Sequence, residues 1–469
     1  MAATVSTFER ASRRATCALA VLLVVACRKT GKGDLSDDGP PQPAAPSATT
    51  FAVAPDAGTA DDADASAPRA TARIDVAIGG DAIPQVKVLA NDINLVVAGM
   101  PSCWGRADAR VFNLEAPVGE RKGLPGVGDK NILAFAAPID WFSAVYKATG
   151  ASAMVVANNH SCDLGPPGLA DTVAEAAKIS AKIAGASSED PWAALDLVQK
   201  DGRHVCLVAW TTFLNDKGRK QQGCLEGVAP AFAKVARAEL GRAGNDEVHK
   251  QLSASGRWDG CDARIAYIHG GREYKPQIRP VLEQAEAAAA YVDAVIVTHP
   301  HVPDLAETIV ASVPPSSAAA AGGRVVGRGV PVYRSLGNFI SNQGIGWSLG
   351  MSVDLLSKDG VPDPIRTVWT RVAMIARLHF EWDPLTPDHS PPTMVRWGYT
   401  LAFSDRGGDG SLDIRLRPLP NAPDDKVAEK LRKGPKPFGA LLDSPCRLDE
   451  GAEPICDGLS PKAPAVAEK

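Results

Sequence analysis

The stretch Ala153–Gly168, AMVVANNHSCDLGPPG, indicates the fold class of this chain. Its first five residues are apolar and predict a short buried strand. A glycine and two prolines then break the chain, and apolar residues recur at helical spacing from Leu169 onward. In open α/β sheets, ligands bind at the turn that joins the carboxyl end of a strand to a helix. Three polar residues with no role in a core occupy that turn: Asn158, Asn159 and His160.

Other apolar runs along the chain have the length of buried strands. The predicted strands are 74–80, 110–114, 153–157, 205–210, 263–268, 293–297 and 332–336. Helical patterns lie between several of them, at 169–178, 229–240 and 278–291. This alternation of strands and helices predicts an α/β fold.

Side chains that can bind metals follow five of these predicted strands. A single histidine beyond a strand is more often a capping or hydrogen-bonding residue, but a set of this size favours a metal site. Mixed imidazole and carboxylate ligands suit Zn, Mn or Fe rather than Ca. Two such ions would activate a water and hold a phosphoryl or carbonyl oxygen. The set comprises Asp81, Glu115, Asn159, His160, His269, His299 and His301.

The first seventy residues predict export. Residues 17–26 are apolar but too short to span a bilayer stably, and they follow several arginines, as in a secretory signal. They end at Cys27 in a pattern that resembles a bacterial lipobox, where the signal is cut and the thiol is acylated; an ordinary signal with an incidental cysteine is the alternative. Residues 27–70 have very few large apolar side chains and predict a disordered tether.

Charge and cysteine usage add two further expectations. The net charge of −4 gives no basis for binding nucleic acid. An exported compartment permits disulfides, and the expected pairs are Cys446 with Cys456 and Cys224 with Cys261. Cys206 is interpreted as a buried thiol, although the sequence does not determine connectivity.

Beyond the histidine motifs the chain predicts more strands. Residues 372–380 alternate between apolar and polar, and 400–403 and 412–416 flank a glycine-rich turn, which predicts a hairpin. These strands are expected to complete a second sheet. We predict a signal peptide at 1–26, the tether at 27–70, a folded domain at 71–418 and a proline-rich tail at 419–469.

Six motifs follow one another over about residues 73–343: Gly80-Asp81, Phe112-Asn113-Leu114-Glu115, Ala157-Asn158-Asn159-His160, His269 with Glu273-Tyr274, His299-Pro300-His301-Val302 and Ser335-Leu336-Gly337-Asn338-Phe339. In this order they resemble the CapA family of poly-γ-glutamate capsule-synthesis proteins, which is related to the calcineurin-like metallophosphatases. The resemblance implies a metallophosphatase-like four-layer sandwich, in which two packed mixed β-sheets are flanked by helices. Gly270 replaces a common aromatic residue, so we expect a more open site.

The resemblance also implies roles for individual residues. Two divalent ions, Mn, Zn or Fe, would be held by Asp81, Glu115, Asn159, His269, His299 and His301, with His160 as the catalytic acid or electrostatic partner of the leaving group. Substrate-binding candidates are Asn113, Asn158, Glu273, Tyr274, Glu307 and Asn338. Asn113 and Asn338 would otherwise satisfy turn backbone groups, and Glu273 and Glu307 would otherwise be solvated or paired with Arg272.

The implied function is that of an exported, membrane-anchored lipoprotein, held by lipid on Cys27, in synthesis, export or anchoring of a poly-γ-glutamate capsule. Its substrate would be an anionic polymer or phosphoester, cleaved at a phosphoester or γ-glutamyl amide, and its partners capsule-synthesis membrane proteins. The alternative is a non-catalytic polymer-binding or scaffold subunit of a membrane-associated synthesis complex. A plain solute-binding lipoprotein would instead be two-lobed and lack clustered histidines.

Overall fold

The computed structural model describes residues 70–119, 135–215, 219–226, 233–311, 327–341, 343, 369–406, 414–419, 440–448, 452–454 and 456–457. Its helices are α1 (Val86–Leu89), α2 (Ile93–Val97), α3 (Ser102–Arg106), α4 (Ile139–Thr149), α5 (Gly165–Lys178), α6 (Arg219–Glu226), α7 (Arg242–Leu252) and α8 (Arg279–Ala289). Its strands are β1 (Ala72–Ala82), β2 (Ala109–Leu114), β3 (Ala153–Val155), β4 (Lys182–Ala184), β5 (Ala186–Ser187), β6 (Leu195–Lys200), β7 (Arg203–Thr211), β8 (Lys234–Val235), β9 (Ala263–His269), β10 (Ala294–Thr298), β11 (Ala306–Val310), β12 (Gly329–Tyr333), β13 (Asn338–Ile340), β14 (Val372–Trp382), β15 (Met394–Arg406), β16 (Ile414–Pro418) and β17 (Cys456–Asp457).

The first large sheet has the order β16-β15-β14-β1-β2-β3-β4, with β13 paired to β1 and β17 to β15. Strands β1 to β4 are parallel, whereas β14, β15 and β16 are antiparallel to their neighbours. The predicted hairpin is present as β15 and β16, but it does not complete a second sheet. Because β14 pairs with β1 from Ala72 to Ile78, the late strands extend the first sheet instead.

The second sheet has the order β11-β12-β10-β9-β7-β6. Its four central strands are parallel, and the two edge strands β6 and β11 are antiparallel. A separate two-stranded ribbon joins β5 to β8. The carboxyl ends of β7, β9 and β10 therefore lie side by side at one rim of this sheet.

Residues of the second sheet alternate between two apolar layers, because successive side chains of a strand point to opposite faces. Leu207 and Ile265 belong to a core shared with the first sheet. Val208 and Ala266, one residue further on, pack in another core together with buried residues of α7 and α8. Tyr267 also donates a hydrogen bond from its hydroxyl to the Gly79 carbonyl of the first sheet, at 3.2 Å. Sheets packed on each other and covered by helices confirm the predicted metallophosphatase-like α/β sandwich.

The helix predicted at 229–240 is wrong within the described residues 233–240. Alanine favours helix, but here the backbone is used for pairing between strands: β8 joins β5, and Ala238 N donates to the Thr211 carbonyl at 3.1 Å. The helix α7 begins just afterwards, beyond Gly241, whose φ of 89° suits glycine. The predicted strand 332–336 also ends early, because β12 stops at Tyr333.

Two disulfides differ from the expected pairing. Cys224 bonds to Cys162 rather than to Cys261. Cys206 is not a buried thiol, because it bonds to Cys261. These pairs join elements that the fold brings together, α6 with the histidine turn and β7 with the start of β9, and such proximity is not encoded by spacing along the chain. Cys446 is also disulfide-bonded, and its expected pairing with Cys456 stays a prediction.

Residues 67–469 form one compact unit. The predicted signal, Cys27 and nearly all of the predicted tether lie outside the described residues. The described part of the predicted tail packs against the first sheet: Leu441 and Leu442 are buried, and β17 pairs with β15. Among the helices that the structure describes, none has the length and apolar character needed to cross a membrane.

Candidate metal centre

The rim where the parallel strands end brings together residues that are far apart in the chain. On β1, Asp81 lies opposite Asn113 of β2 on one side and Asn338 of β13 on the other. On the second sheet, His269 ends β9 beside Thr298, the last residue of β10. Register places the polar groups of each sheet side by side, and Asn113 Nδ2, 3.2 Å from His269 Nδ1, joins the two sets into one cluster.

Two groups of side chains in this cluster could each hold a metal ion, with ligand atoms within 4.8 Å of one another. The Nε2 atom of His269 lies 3.5 Å from Glu115 Oε1, and His301 Nδ1 lies 3.8 Å from Glu115 Oε2. The carboxylate of Glu115 belongs to both groups. One group is Asp81, Glu115 and His269, and the other is Glu115, His299 and His301.

The bonding state of these side chains fits a cation. Within the described part of the chain, neither carboxylate oxygen of Glu115 has a hydrogen-bond partner, and neither does Nδ1 of His299. Both residues are buried, with Glu115 0% exposed. A buried carboxylate without partners is costly unless it is paired or binds a metal. The donor set of carboxylates and imidazoles therefore suits a divalent ion.

The pKa shifts of Asp81 and His301 also show that the buried carboxylates require a positive charge beside them. Burial would raise the pKa of Asp81, but the hydrogen bond with His301 and the charges of His269 and His301 hold that pKa below its usual value. Burial would lower the pKa of His301, but the charge of Glu115 and the contact with Asp81 raise it to about 10. A proton on His301 or a divalent cation would each supply the charge that the two carboxylates require.

The pKa of His299 is shifted in the opposite direction to that of His301. Burial, followed by the neighbouring imidazoles of His269 and His301, lowers its pKa well below the usual value. A neutral imidazole is the form that ligates metals. Its Nδ1 atom, which has no hydrogen-bond partner among the described residues, is therefore available as a ligand.

Asn113 and Asn158 lie behind the carboxylates. Asn113 donates from Nδ2 to Asp81 Oδ1 at 2.8 Å. Asn158 in turn donates from Nδ2 to Asn113 Oδ1 at 3.0 Å and to the Leu114 carbonyl at 2.8 Å. Both are 0% exposed. This arrangement orients Asp81.

Asn338 orients His301 in a similar way. Its Oδ1 atom lies 3.0 Å from His301 Nδ1, while its Nδ2 donates to the Thr370 carbonyl at 2.9 Å. The asparagine of the last motif is therefore bonded to the cluster as well as to the backbone.

The turn after β3 places Asn159 and His160 beside the cluster. Asn159 Oδ1 lies 2.7 Å from His269 Nε2. Nδ1 of His160 contacts Asp163 Oδ2 at 2.7 Å. Burial would lower the pKa of His160, but the hydrogen bond and charge of Asp163 raise it above the usual value. A protonated imidazole next to a metal cluster can donate a proton to a leaving group.

The backbone of the His-Pro-His motif is strained. His299 has φ of 100° and His301 has φ of 57°, both in the region that favours glycine. Non-glycine residues in this region cluster at functional sites, where the surrounding structure holds them. Here Tyr274 N donates to the Pro300 carbonyl at 2.8 Å, and His299 N donates to Asp81 Oδ2 at 3.2 Å.

Two glycines of the motifs allow close packing near the cluster. A Cβ on Gly80 would lie 1.8 Å from the Gly337 carbonyl oxygen, so β1 and the β13 turn approach each other only with glycine there. A Cβ on Gly270 would lie 2.3 Å from Thr212 Oγ1. The expected opening of the site at Gly270 is therefore wrong, because the Thr212 side chain occupies that space.

Three substrate-binding candidates lie further out. Tyr274 is half-buried, with its ring centroid 6.0 Å from that of His301. Glu273 is exposed, and its charge contributes to the raised pKa of His301. Glu307 lies on β11 and accepts a hydrogen bond from Arg334 Nε at 2.7 Å. The described contacts do not bring Glu307 to the cluster, and its ionic partner is Arg334 rather than Arg272.

Asp163, Thr298 and Asn215 also belong to the site, although no site role was predicted for them. Asp163 could have been found, since it follows His160 at a spacing of three residues in a tight turn. Thr298 contacts His269 Nδ1 at 3.0 Å. Asn215 contacts Asn159 and His160 from the loop after β7, and only the fold shows this proximity.

The chain matches a known protein family over the part that carries the cluster. The model of a family described as bacterial capsule synthesis protein PGA_cap matches residues 60–343, more than half of the chain. That range contains every metal-ligand candidate of the cluster. Among curated proteins, no significant match was found.

Proposed function

The chain belongs to the bacterial capsule synthesis protein PGA_cap family, and from this premise we propose that its buried cluster is a two-cation hydrolase site. The substrate we propose is a phosphoester or a γ-glutamyl amide, cleaved during synthesis, export or anchoring of a poly-γ-glutamate capsule. One observation carries the proposal: Glu115 belongs to two candidate ligand groups, and its buried oxygens lack hydrogen-bond partners among the described residues.

The residues divide into two ligand sets around Glu115. Asp81 and His269, with the Asn159 amide oxygen beside them, would hold one ion, and His299 and His301 would hold the other. The imidazole and carboxylate donors favour Mn, Zn or Fe. When bound, two such ions would lower the pKa of a water and stabilise negative charge on a substrate oxygen.

His160 would act on the leaving group. The charge and hydrogen bond of Asp163 favour its protonated form and hold Nδ1, so that the proton on Nε2 is the one available for transfer. A departing alkoxide or amine needs such a proton, and the same chemistry serves a phosphoester and an amide. The residue is 4% exposed, which limits competing transfer to water.

Export and anchoring are part of the same proposal. The apolar segment 17–26 ends at Cys27 in a lipobox-like pattern, which supports a lipid-anchored protein of the cell envelope that works with capsule-synthesis membrane proteins. Labelling of cells with a fatty-acid analogue should mark the wild-type chain but not Cys27→Ala. Equal labelling of the two chains would contradict the anchor.

Metal analysis of the purified protein, followed by activity assays, tests the hydrolase. We expect about two equivalents of Mn, Zn or Fe, and cleavage of bis-p-nitrophenyl phosphate or of poly-γ-glutamate. His160→Asn should lower the rate by roughly 100-fold or more, a typical contribution of a positioned acid. The same replacement at the exposed His389 is the matched control.

Two other results would contradict different parts of the proposal. Absence of bound metal under metal-replete purification would contradict the two-cation site. Bound metal with no activity that depends on His160 would contradict hydrolysis and favour the non-catalytic polymer-binding or scaffold subunit. The clustering of His269, His299 and His301 already argues against a plain solute-binding lipoprotein.

A further inference from the structure

The loop that follows β7 lies against the turn that carries Asn159 and His160. The Asn215 backbone N–H donates to the Asn159 carbonyl at 2.9 Å. The Asn159 side chain donates from Nδ2 to Asn215 Oδ1 at 3.2 Å. The Nδ2 atom of Asn215 lies 3.2 Å from His160 Nε2, to which it can donate once His160 has given up its proton. One residue outside the family's histidine motifs thus contacts a metal-ligand candidate and the proposed acid.

A disulfide joins the same two segments a second time. Cys162 lies two residues after His160. Cys224 lies in α6, the helix that follows the loop of Asn215 along the chain. Their Cα atoms are 6.2 Å apart, and both side chains are buried. The turn is therefore held at Asn159 by hydrogen bonds and at Cys162 by a covalent bond.

The contact with Asn215 determines which atom of Asn159 faces the cluster. With its Nδ2 engaged by Asn215, the Asn159 amide presents Oδ1 to His269, 2.7 Å away. An amide binds cations through its oxygen and not through its nitrogen. If the amide turned over, Asn159 would direct a donor at the cation.

We infer that Asn215 and the Cys162–Cys224 disulfide are positioning elements of the metal centre, which hold Asn159 with its oxygen toward the cations. This inference rests on the proposed two-cation site. It concerns how the site is held in place, and it involves no redox step. Groups that orient metal ligands typically change metal affinity by 10-fold to 100-fold when they are removed.

Calorimetric titration of the metal-free protein with Mn²⁺ tests the inference. Asn215→Ala should weaken binding at one of the two positions by roughly 10-fold. Its melting temperature should change little, because Asn215 is exposed. Asn94→Ala, at an exposed position on α2, is the control and should bind as wild type does.

The second disulfide provides a matched control for the first. The two bonds span similar separations, 62 residues for Cys162–Cys224 and 55 for Cys206–Cys261. Loop-closure entropy changes slowly with length, so removing either bond should cost similar stability. Cys206 lies near the start of β7, whereas the metal cluster lies at the opposite ends of the strands. Replacing both cysteines of a pair by alanine should therefore lower the melting temperature in both cases but weaken Mn²⁺ binding only for Cys162–Cys224.

The outcomes separate this inference from the proposed function. If wild type binds no Mn²⁺, the two-cation site fails and the positioning role fails with it. If wild type binds Mn²⁺ and Asn215→Ala binds as tightly, the positioning role alone is wrong. Equal weakening by the two disulfide replacements would show a general effect of stability, which also contradicts the inference. If a disulfide variant does not fold, the Mn²⁺ affinity of Asn215→Ala still tests the positioning role.

Discussion

The shared position of Glu115 predicts a graded loss of metal-induced stability. A ligand at 100 times its Kd stabilises a protein by about 2.7 kcal/mol, so two ions would contribute about 5.4 kcal/mol. An unfolding entropy of about 2.1 cal/mol/K per residue gives about 0.85 kcal/mol/K for the unit Ala67–Lys469. Saturating Mn²⁺ should therefore raise the melting temperature of the wild type by about 6 °C.

The metal-induced rise in melting temperature should shrink according to how many ligand groups a substitution disrupts. His299→Asn removes a ligand from one group and leaves Asp81, Glu115 and His269 intact, so about 3 °C should remain. Glu115→Gln removes a ligand from both groups, so the shift should nearly vanish. The measurement is differential scanning calorimetry with and without MnCl₂, and Glu189→Gln, at an exposed position, should keep the full shift.

One result would contradict the prediction that Glu115 serves both ions. If Glu115→Gln and His299→Asn retain the same metal-induced shift, the carboxylate does not serve both ions. The two ligand groups would then be alternative descriptions of a single position.

Two further predictions concern the acid and the packing of the sheet. Asp163→Asn removes the negative charge that raises the pKa of His160 and weakens the hydrogen bond between the two side chains, so the alkaline limb of the pH–rate profile should move to lower pH. Asp171→Asn, on the exposed side of α5, should leave that limb in place. An unchanged limb would show that His160 is not the acid or that Asp163 does not tune it. Gly80→Ala forces a Cβ to within 1.8 Å of a backbone oxygen, so the free energy of unfolding in urea should fall by about 1–3 kcal/mol or more. Gly105→Ala, where a Cβ meets no atom within 4 Å, should be neutral or slightly stabilising, and equal effects of the two changes would contradict the packing argument.

Much of the fold follows from local patterns. The apolar runs of β1, β7, β9 and β10 are visible in the chain, because buried strands must present apolar side chains. The period of two in 372–380 predicted a strand with one exposed face, and this was wrong, because β14 lies between β1 and β15 and is buried along almost its whole length. The metal-ligand candidates were also predictable as a set. Parallel strands align their carboxyl ends, so Asp81 at the end of β1 and Glu115 just after β2 lie at one rim, as do His269 at the end of β9 and His299 just after β10.

Other features depend on contacts between distant segments. The alanine-rich stretch at 229–240 satisfies helix propensity, but pairing of β8 with β5 overrides it. The pairing of Cys162 with Cys224 depends on where α6 packs. Thr212 fills the space beside Gly270 because β7 and β9 are neighbours, which the order of strands along the chain does not reveal.

The sequence by itself determined which residues could bind a cation and that they stand at strand ends, since residue type and periodicity are local properties. Only the tertiary structure decided that Glu115 is common to two ligand groups, that Asn215 reaches Asn159, and that the late strands extend the first sheet. These are facts of register and packing, set by backbone pairing between segments that lie far apart in the chain, such as Asp75 and His379, which are 304 residues apart. No local pattern records which strands become neighbours.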